Sequence, residues 1–391
     1  MNSLVLWFFL RFLTSIYTGI ISSIKPLAQI ELSIALWPPT SPLNQWLYRV
    51  FISPWMRWDA LWYQRIVSNG YTATDGTAQF HPLYPWMASI LSKIGINSSL
   101  SLLIVSSLAG VALFYTFTVL ARMDLPHKDA YFSLLLFSLA PPAFILFAPY
   151  SESLFLLCAV LCILFTRKNS WWLAGLLGGL ATLTRQQGLL LIIPVAWEMW
   201  EKAGRRTKSL IKMWQNWLAL SLIPLGMIIW LLYRAFYIND FHINWSNLQN
   251  FIYSVVISPS ASKVVPVQKF IWPWQALYHS VEKILTKPDL DIWVNLIISF
   301  FLLALLVIAW KKMRISYRLY ALGITIISFS YYTGPVHPYM GLPRHLLLGF
   351  TTYIGLAAMI NKPWQRLILV GLSAIGLLFL LSLYILNAWI P

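Results

Sequence analysis

The sequence predicts an all-α polytopic membrane protein, and two observations predict it. Charged residues make up 10% of the 391 and hydrophobic ones 59%, against roughly 25% and 45–50% in ordinary globular domains. That balance leaves too little polar surface to cover a water-soluble fold of this length. Uncharged stretches also recur that approach the roughly 20 residues needed to cross a hydrocarbon core. The formal charge of +16 would suit a nucleic-acid backbone. Here, however, the lysines and arginines sit in short blocks between apolar runs, where the orienting loops of a membrane protein carry them.

About eleven spans are expected, near 4–24, 99–121, 130–148, 151–166, 170–184, 187–200, 214–236, 292–310, 317–333, 345–360 and 365–389. The first holds Arg11 and no convincing small-residue cleavage site, so it reads as a retained span and not a secretory signal. The stretch 81–96 is apolar but short, with two prolines and a lysine, and reads as a re-entrant or interfacial helix. Cys158 and Cys162 lie one turn apart inside an apolar run and read as buried free thiols.

With 81–96 kept out of the count, alternate short loops are all basic. They carry Arg122 and Lys128; Arg167 and Lys168; Lys202, Arg205, Arg206, Lys208 and Lys212; Lys311, Lys312, Arg314 and Arg318; then Lys362 and Arg366. The positive-inside rule places these loops and the N-terminus in the cytoplasm. The other face receives two long segments, 25–98 and 237–291, rich in Trp, Tyr and Pro. They read as loops carrying amphipathic helices along the membrane surface. The whole chain, 1–391, is expected to be one integral-membrane domain.

Polar residues that look out of place converge on that second face. Taken as a helix, 55–68 puts Trp55, Trp58, Trp62 and Ile66 on one arc and Arg57, Gln64 and Ser68 opposite. Asp59 falls on the edge of the aromatic arc beside Tyr63, where an unpaired carboxylate is unfavourable. A structural Asp, paired with Arg or capping a turn, is the plainer alternative. His81 opens FHPLYP, and Tyr150, Ser151 and Glu152 form the turn in APYSESLF. Arg185, Gln186 and Gln187 stand in TRQQG, and His337, Arg344 and His345 in HPYMGLPRH. A lone arginine at a span end is usually a snorkelling anchor, but several such exceptions on one face suggest a polar site. The inventory suits a carboxylate base beside arginines, which bind phosphate oxygens in a forked geometry and stay charged when desolvated. No Gly-rich phosphate loop and no clustered metal spacing is present.

RWDALWYQRIVSNGY, FHPLYPWM, APYSESLFLL, TRQQGLLL and GLPRHLL, in this order over about residues 50–350, resemble the PIG-V-like mannosyltransferases of the GT-C superfamily. WPWQAL at 272–277 is a weaker similarity. The resemblance implies a GT-C-type bundle and an inverting transfer of mannose from a polyprenyl (dolichyl-type) phosphate to a lipid or glycan acceptor. It implies Asp59 as the catalytic residue, and Arg185 and Arg344 as donor-phosphate ligands. Arg57, Trp58, His81, Tyr84, Tyr150, Glu152, Gln187, His337 and His345 are implied as substrate contacts. Gln187 stands where Asn is usual, His345 where Tyr is usual, and His81 in place of an aromatic. These departures bear on donor or acceptor identity more than on reaction class. No cofactor is required by the ligand spacing, although a divalent metal is compatible with it. The expected partners are the lipid-linked donor, the acceptor and membrane lipids, with no nucleic acid. The alternatives are another polyprenyl-phosphate-linked sugar (glucose, arabinose) or a lipid or sugar transporter. The size and the absence of a retrieval signal favour a bacterial plasma membrane with an outward-facing site, or the ER lumen in a eukaryote.

Overall fold

The computed structural model describes residues 2–24, 50–240, 242–243, 245–247 and 268–386. Parts of both long segments, 25–98 and 237–291, therefore lie outside the described residues. In chain order the first half contains α1 (Ser3–Ile24), α2 (Asp59–Asn69), α3 (Leu83–Lys93), α4 (Ser98–Ala121), α5 (His127–Leu139), α6 (Glu152–Arg167) and α7 (Trp171–Thr184). The second half contains α8 (Ile192–Lys202), α9 (Thr207–Ile211), α10 (Trp214–Tyr233), α11 (Pro273–Thr286), α12 (Leu290–Ala309), α13 (Ile315–Ser330), α14 (Leu342–Leu347), α15 (Thr351–Met359) and α16 (Pro363–Ile385). The only strands among the described residues are β1 (Lys269–Phe270) and β2 (Tyr331–Tyr332). They pair antiparallel, with Lys269 opposite Tyr332 and Phe270 opposite Tyr331.

The all-α polytopic class is as the sequence predicts. Where they are described, the eleven apolar stretches are mainly helical, and their lengths sort them. Among the described residues five helices are long and apolar enough to cross a membrane: Ser3–Ile24, Ser98–Ala121, Trp214–Ile238, Leu290–Lys312 and Pro363–Ile385. A sixth arises if α5 and the 3-10 turn Pro141–Phe147 count as one span bent by 86°. Pro141 and Pro142 explain that bend, because proline cannot donate to the helical ladder. The remaining stretches are shorter. α6 has 16 residues, which at 1.5 Å per residue is about 24 Å, less than the roughly 30 Å hydrocarbon core. It is buried on nearly every side, and a helix surrounded by protein need not match the bilayer thickness.

Small residues set the closest helix crossing. α7 and α10 approach so tightly that a Cβ on Gly175 would stand 1.9 Å from the Ala219 carbonyl oxygen, and one on Gly226 2.3 Å from the Gly179 carbonyl oxygen. Helices associate in lipid through such close packing of small residues. Cys158 and Cys162 are buried free thiols on α6.

The basic loops gather at one end of the bundle. Arg167, at the C-terminus of α6, binds Asp124 at 2.8 Å and the Tyr317 hydroxyl at 2.9 Å. Arg314 lies 3.4 Å from both Glu198 and Glu201, and Arg366 binds Asp129 at 2.6 Å. Glu152 sits at the opposite end of α6, so the helix separates this network from the polar residues of the other face. On that face α11 buries Ala276, Ser280 and Ile284 against the bundle and exposes Trp274, Tyr278, Val281 and Leu285. Aromatic faces of this kind suit the headgroup level of a bilayer.

Candidate active site

The RWD stretch is not one continuous helix. Ser53–Trp55 is a 3-10 turn that opens on Pro54, and α2 begins only at Asp59. Between them Trp58 adopts φ 52°, a left-handed conformation that is an outlier for a bulky residue. The chain is held in it by its neighbours: the Tyr150 hydroxyl donates to the Arg57 carbonyl at 3.0 Å and the Tyr384 hydroxyl to the Trp55 carbonyl at 2.8 Å. Trp55 is therefore wholly buried, packed near Tyr384 and beneath the Arg11 guanidinium. It does not share an interfacial arc with Trp58 and Trp62, as a single helix over 55–68 would require. The break leaves Asp59 in the first turn of α2, where the free backbone N–H groups favour a negative charge.

Four charged side chains meet there. Arg344 Nη1 donates to Asp59 Oδ2 at 2.8 Å. Arg344 Nε stands 3.2 Å from Glu152 Oε1, a charge contact whose alignment falls short of a hydrogen bond. Arg185 Nη1 donates to the same Glu152 oxygen at 2.7 Å. The Glu152 side chain is completely buried, those of Arg185 and Arg344 are each 10% exposed, and Asp59 is 27% exposed. Two carboxylates and two guanidiniums balance, which makes their burial tolerable. Asp59 thus forms the open side of the cluster and Glu152 its floor. Glu152 Oε2 and Arg185 Nε are buried without a hydrogen-bond partner among the described residues.

Local structure places each member. Glu152 opens α6, after the turn 148–151. Arg185 follows α7 in extended conformation, and the Gly188 N–H closes back on its carbonyl at 3.0 Å. Arg344 lies in the first turn of α14, after Gly341 at φ 70° and Pro343. Its guanidinium carbon sits 5.4 Å from the centre of the Tyr150 ring, a favourable cation–π placement.

Of the other residues expected at the site, Tyr150 borders the cluster directly. Arg57 folds back onto the Ser53 and Met56 carbonyls, at 3.1 and 3.2 Å, and braces its own loop. Tyr84 donates to the Leu102 carbonyl at 2.9 Å and packs edge-on against Tyr63. His345 is buried with its ring 5.6 Å from that of Tyr331. Gln187 is buried in the turn after Arg185, and His337 lies in the turn closed by the Thr333 hydroxyl on its carbonyl. His81 Nδ1 is 2.7 Å from the Thr182 carbonyl oxygen. A carbonyl only accepts, so Nδ1 carries the proton. Burial pushes this imidazole down to about 3, reinforced by nearby Arg234 and Arg185 against the opposing pull of the Thr182 bond.

Two participants, Tyr63 and Tyr331, were given no role from sequence. Tyr63, one turn after Asp59, donates to Ser151 Oγ at 2.8 Å, and Arg185 Nη1 donates to the same hydroxyl at 3.2 Å. Position i+4 from Asp59 was the available signal for Tyr63. Tyr331 donates to the Gln268 side chain and fixes β1 beside His345. Among the described residues no cluster of three or more His, Cys, Asp or Glu side chains is placed to hold a metal ion.

Residues 79–233 match the family model described as dolichyl-phosphate-mannose-protein mannosyltransferase. That stretch includes Glu152 and Arg185 but neither Asp59 nor Arg344. Among solved structures, ArnT from Cupriavidus metallidurans bound to undecaprenyl phosphate is similar at 12% identity and a TM-score of 0.48, over 78% of this chain and 56% of that one. The apo oligosaccharyltransferase of Archaeoglobus fulgidus is similar at 12% identity and a TM-score of 0.43, over 97% of this chain and 56% of that one. This chain thus spans little more than half the length of either. No curated protein matches it.

Two outcomes follow from the geometry. Glu152→Ala would leave two buried guanidiniums without their shared carboxylate, a loss of about 3–5 kcal/mol. Arg185→Ala on that background should recover part of it, so that thermal unfolding of the single and double variants gives a coupling of about 1 kcal/mol or more. Additive losses would contradict the shared contact. For His81, the folded and unfolded chains are both neutral above pH 6.5, while between 6.5 and about 3 only the unfolded chain binds the proton. Stability therefore falls as pH drops through that window. His81→Phe should lower the unfolding midpoint at neutral pH, through loss of the Thr182 bond, yet lose less than wild type between pH 7 and 5. Parallel curves would show an ordinary imidazole.

Proposed function

We propose that this chain is a GT-C-type, PIG-V-like inverting mannosyltransferase. It moves a mannosyl residue from a polyprenyl (dolichyl-type) phosphate to a lipid or glycan acceptor at the extracytoplasmic face. The observation that carries this proposal is the cluster itself: Asp59, partly open, lies 2.8 Å from an arginine that shares a buried glutamate with a second arginine. Support comes from the family match over residues 79–233 and from the ordered motifs around Asp59, Glu152, Arg185 and Arg344.

In the reaction, the acceptor oxygen attacks the anomeric carbon from the face opposite the phosphate. The new carbon–oxygen bond forms as the bond to the phosphate oxygen breaks, and the electron pair leaves with the phosphate. Asp59 takes the acceptor's proton. Phosphate needs no acid to expel it, unlike the leaving oxygen in glycoside hydrolysis, so one carboxylate suffices. Arg344 and Arg185 neutralise the charge that develops on the lipid phosphate, and Arg matches its oxygens in a forked geometry. Glu152, buried and bonded to Arg185, holds the arginines in register. Burial and dependence on a lipid-borne phosphate both favour entry of the donor from the membrane side.

Membranes carrying the protein should transfer mannose from polyprenyl-phosphate-mannose to a lipid or glycan acceptor. Asp59→Asn should lower that rate by about 10²–10⁴-fold in protein whose unfolding transition shows it to be folded. Transfer at the wild-type rate would remove Asp59 from its role. Transfer from the glucose or arabinose donor, with none from the mannose donor, would reassign the sugar.

A further inference from the structure

Two carboxylates compete for Arg344. Glu152 is completely buried and held by Arg185 at 2.7 Å, so it cannot leave. Asp59 is 27% exposed, and Arg344 is its one ionic partner among the described residues. An anion entering the open side of the cluster therefore meets the Asp59–Arg344 bond first. We propose that Arg344 is a latch: in the empty site it holds Asp59, and the lipid phosphate displaces Asp59 from it, so that the base is released only when the donor is in place. This inference rests on the transferase proposal above.

The exchange is balanced in charge and geometry. A phosphate accepts from a guanidinium as a carboxylate does, in a forked arrangement, so Arg344 is never left as an unpaired buried cation. The Tyr150 ring, 5.4 Å from the guanidinium carbon, and Glu152, 3.2 Å from Nε, hold the guanidinium in place through the exchange. Asp59 keeps the first-turn position of α2, an 11-residue helix, whose N-terminus favours negative charge. Displacement also leaves Asp59 Oδ2, until then occupied by Arg344 Nη1 at 2.8 Å, free to accept a hydrogen bond from an acceptor hydroxyl. The site consequently couples donor occupancy to readiness for proton transfer. An acceptor arriving first finds Asp59 Oδ2 taken.

The latch makes a prediction opposite to that of an ordinary binding residue. Purified full-length protein in detergent is titrated with a fluorescent short-chain polyprenyl phosphate, with no acceptor present. Asp59→Asn and Asp59→Ala should both bind this lipid more tightly than wild type. The gain is about tenfold if Asp59 occupies Arg344 nine-tenths of the time. Arg344→Gln should bind it more weakly, and Asp59→Asn should bring no gain on that background. Unfolding midpoints establish that each variant is folded, and the Ala variant reports the same direction should Asn mispack. Equal or weaker binding by both folded Asp59 variants would overturn the latch while leaving the transferase proposal standing. Failure of wild type to bind the lipid phosphate would overturn both.

Discussion

Everything at the candidate site depends on a single buried carboxylate. Glu152 has no exposed surface, and one of its oxygens faces both Arg185 and Arg344. Without it, two guanidiniums would share a low-dielectric pocket and repel. With it, one arginine is fixed firmly by a hydrogen bond, and the other is left turned toward Asp59. Four stretches of chain, the openings of α2 and α6, the segment after α7 and the short α14, are brought to one point by this charge balance. The Tyr63–Ser151–Arg185 hydrogen bonds then tie the helix that carries Asp59 to the same floor.

α6 gives the site its place in the membrane frame. Glu152 stands at its first residue and Arg167 at its last. The two ends thus anchor two polar clusters, the candidate site and the Arg167–Asp124–Tyr317 network, with an apolar interior between them. The close crossing of α7 and α10 at Gly175 and Gly226 packs this interior tightly. Arg185 emerges at the end of α7, so this packing also fixes where its side chain can reach. The close crossing and a candidate-site arginine are thereby linked through one helix and its C-terminal end.

Much of this was legible in the sequence. The membrane class follows from composition. Asp59 stood out because it lies on the aromatic flank of RWDALWY, away from the polar residues, and the structure does give it a charged partner. That partner was not legible: Arg344 lies 285 positions away in sequence, and nothing local links them. The start of α2 was not legible either, since the left-handed conformation of Trp58 is imposed by bonds from Tyr150 and Tyr384. Glu152 was expected as a substrate contact, and the structure sets it beneath the two arginines. The count of eleven spans was limited by a physical ambiguity: a short apolar run has the same signature in a buried helix as in a crossing one. α6 and α15 lie inside the bundle, and the Pro141–Pro142 bend interrupts another.

In the proposed reaction Arg185 and Arg344 hold the phosphate of a lipid beside Asp59. An experimental structure of the protein with a short-chain polyprenyl phosphate would test it most directly. Phosphate density is expected within hydrogen-bonding distance of both guanidiniums, with the Asp59–Arg344 bond opened. Phosphate bound elsewhere, with that bond intact, would contradict it.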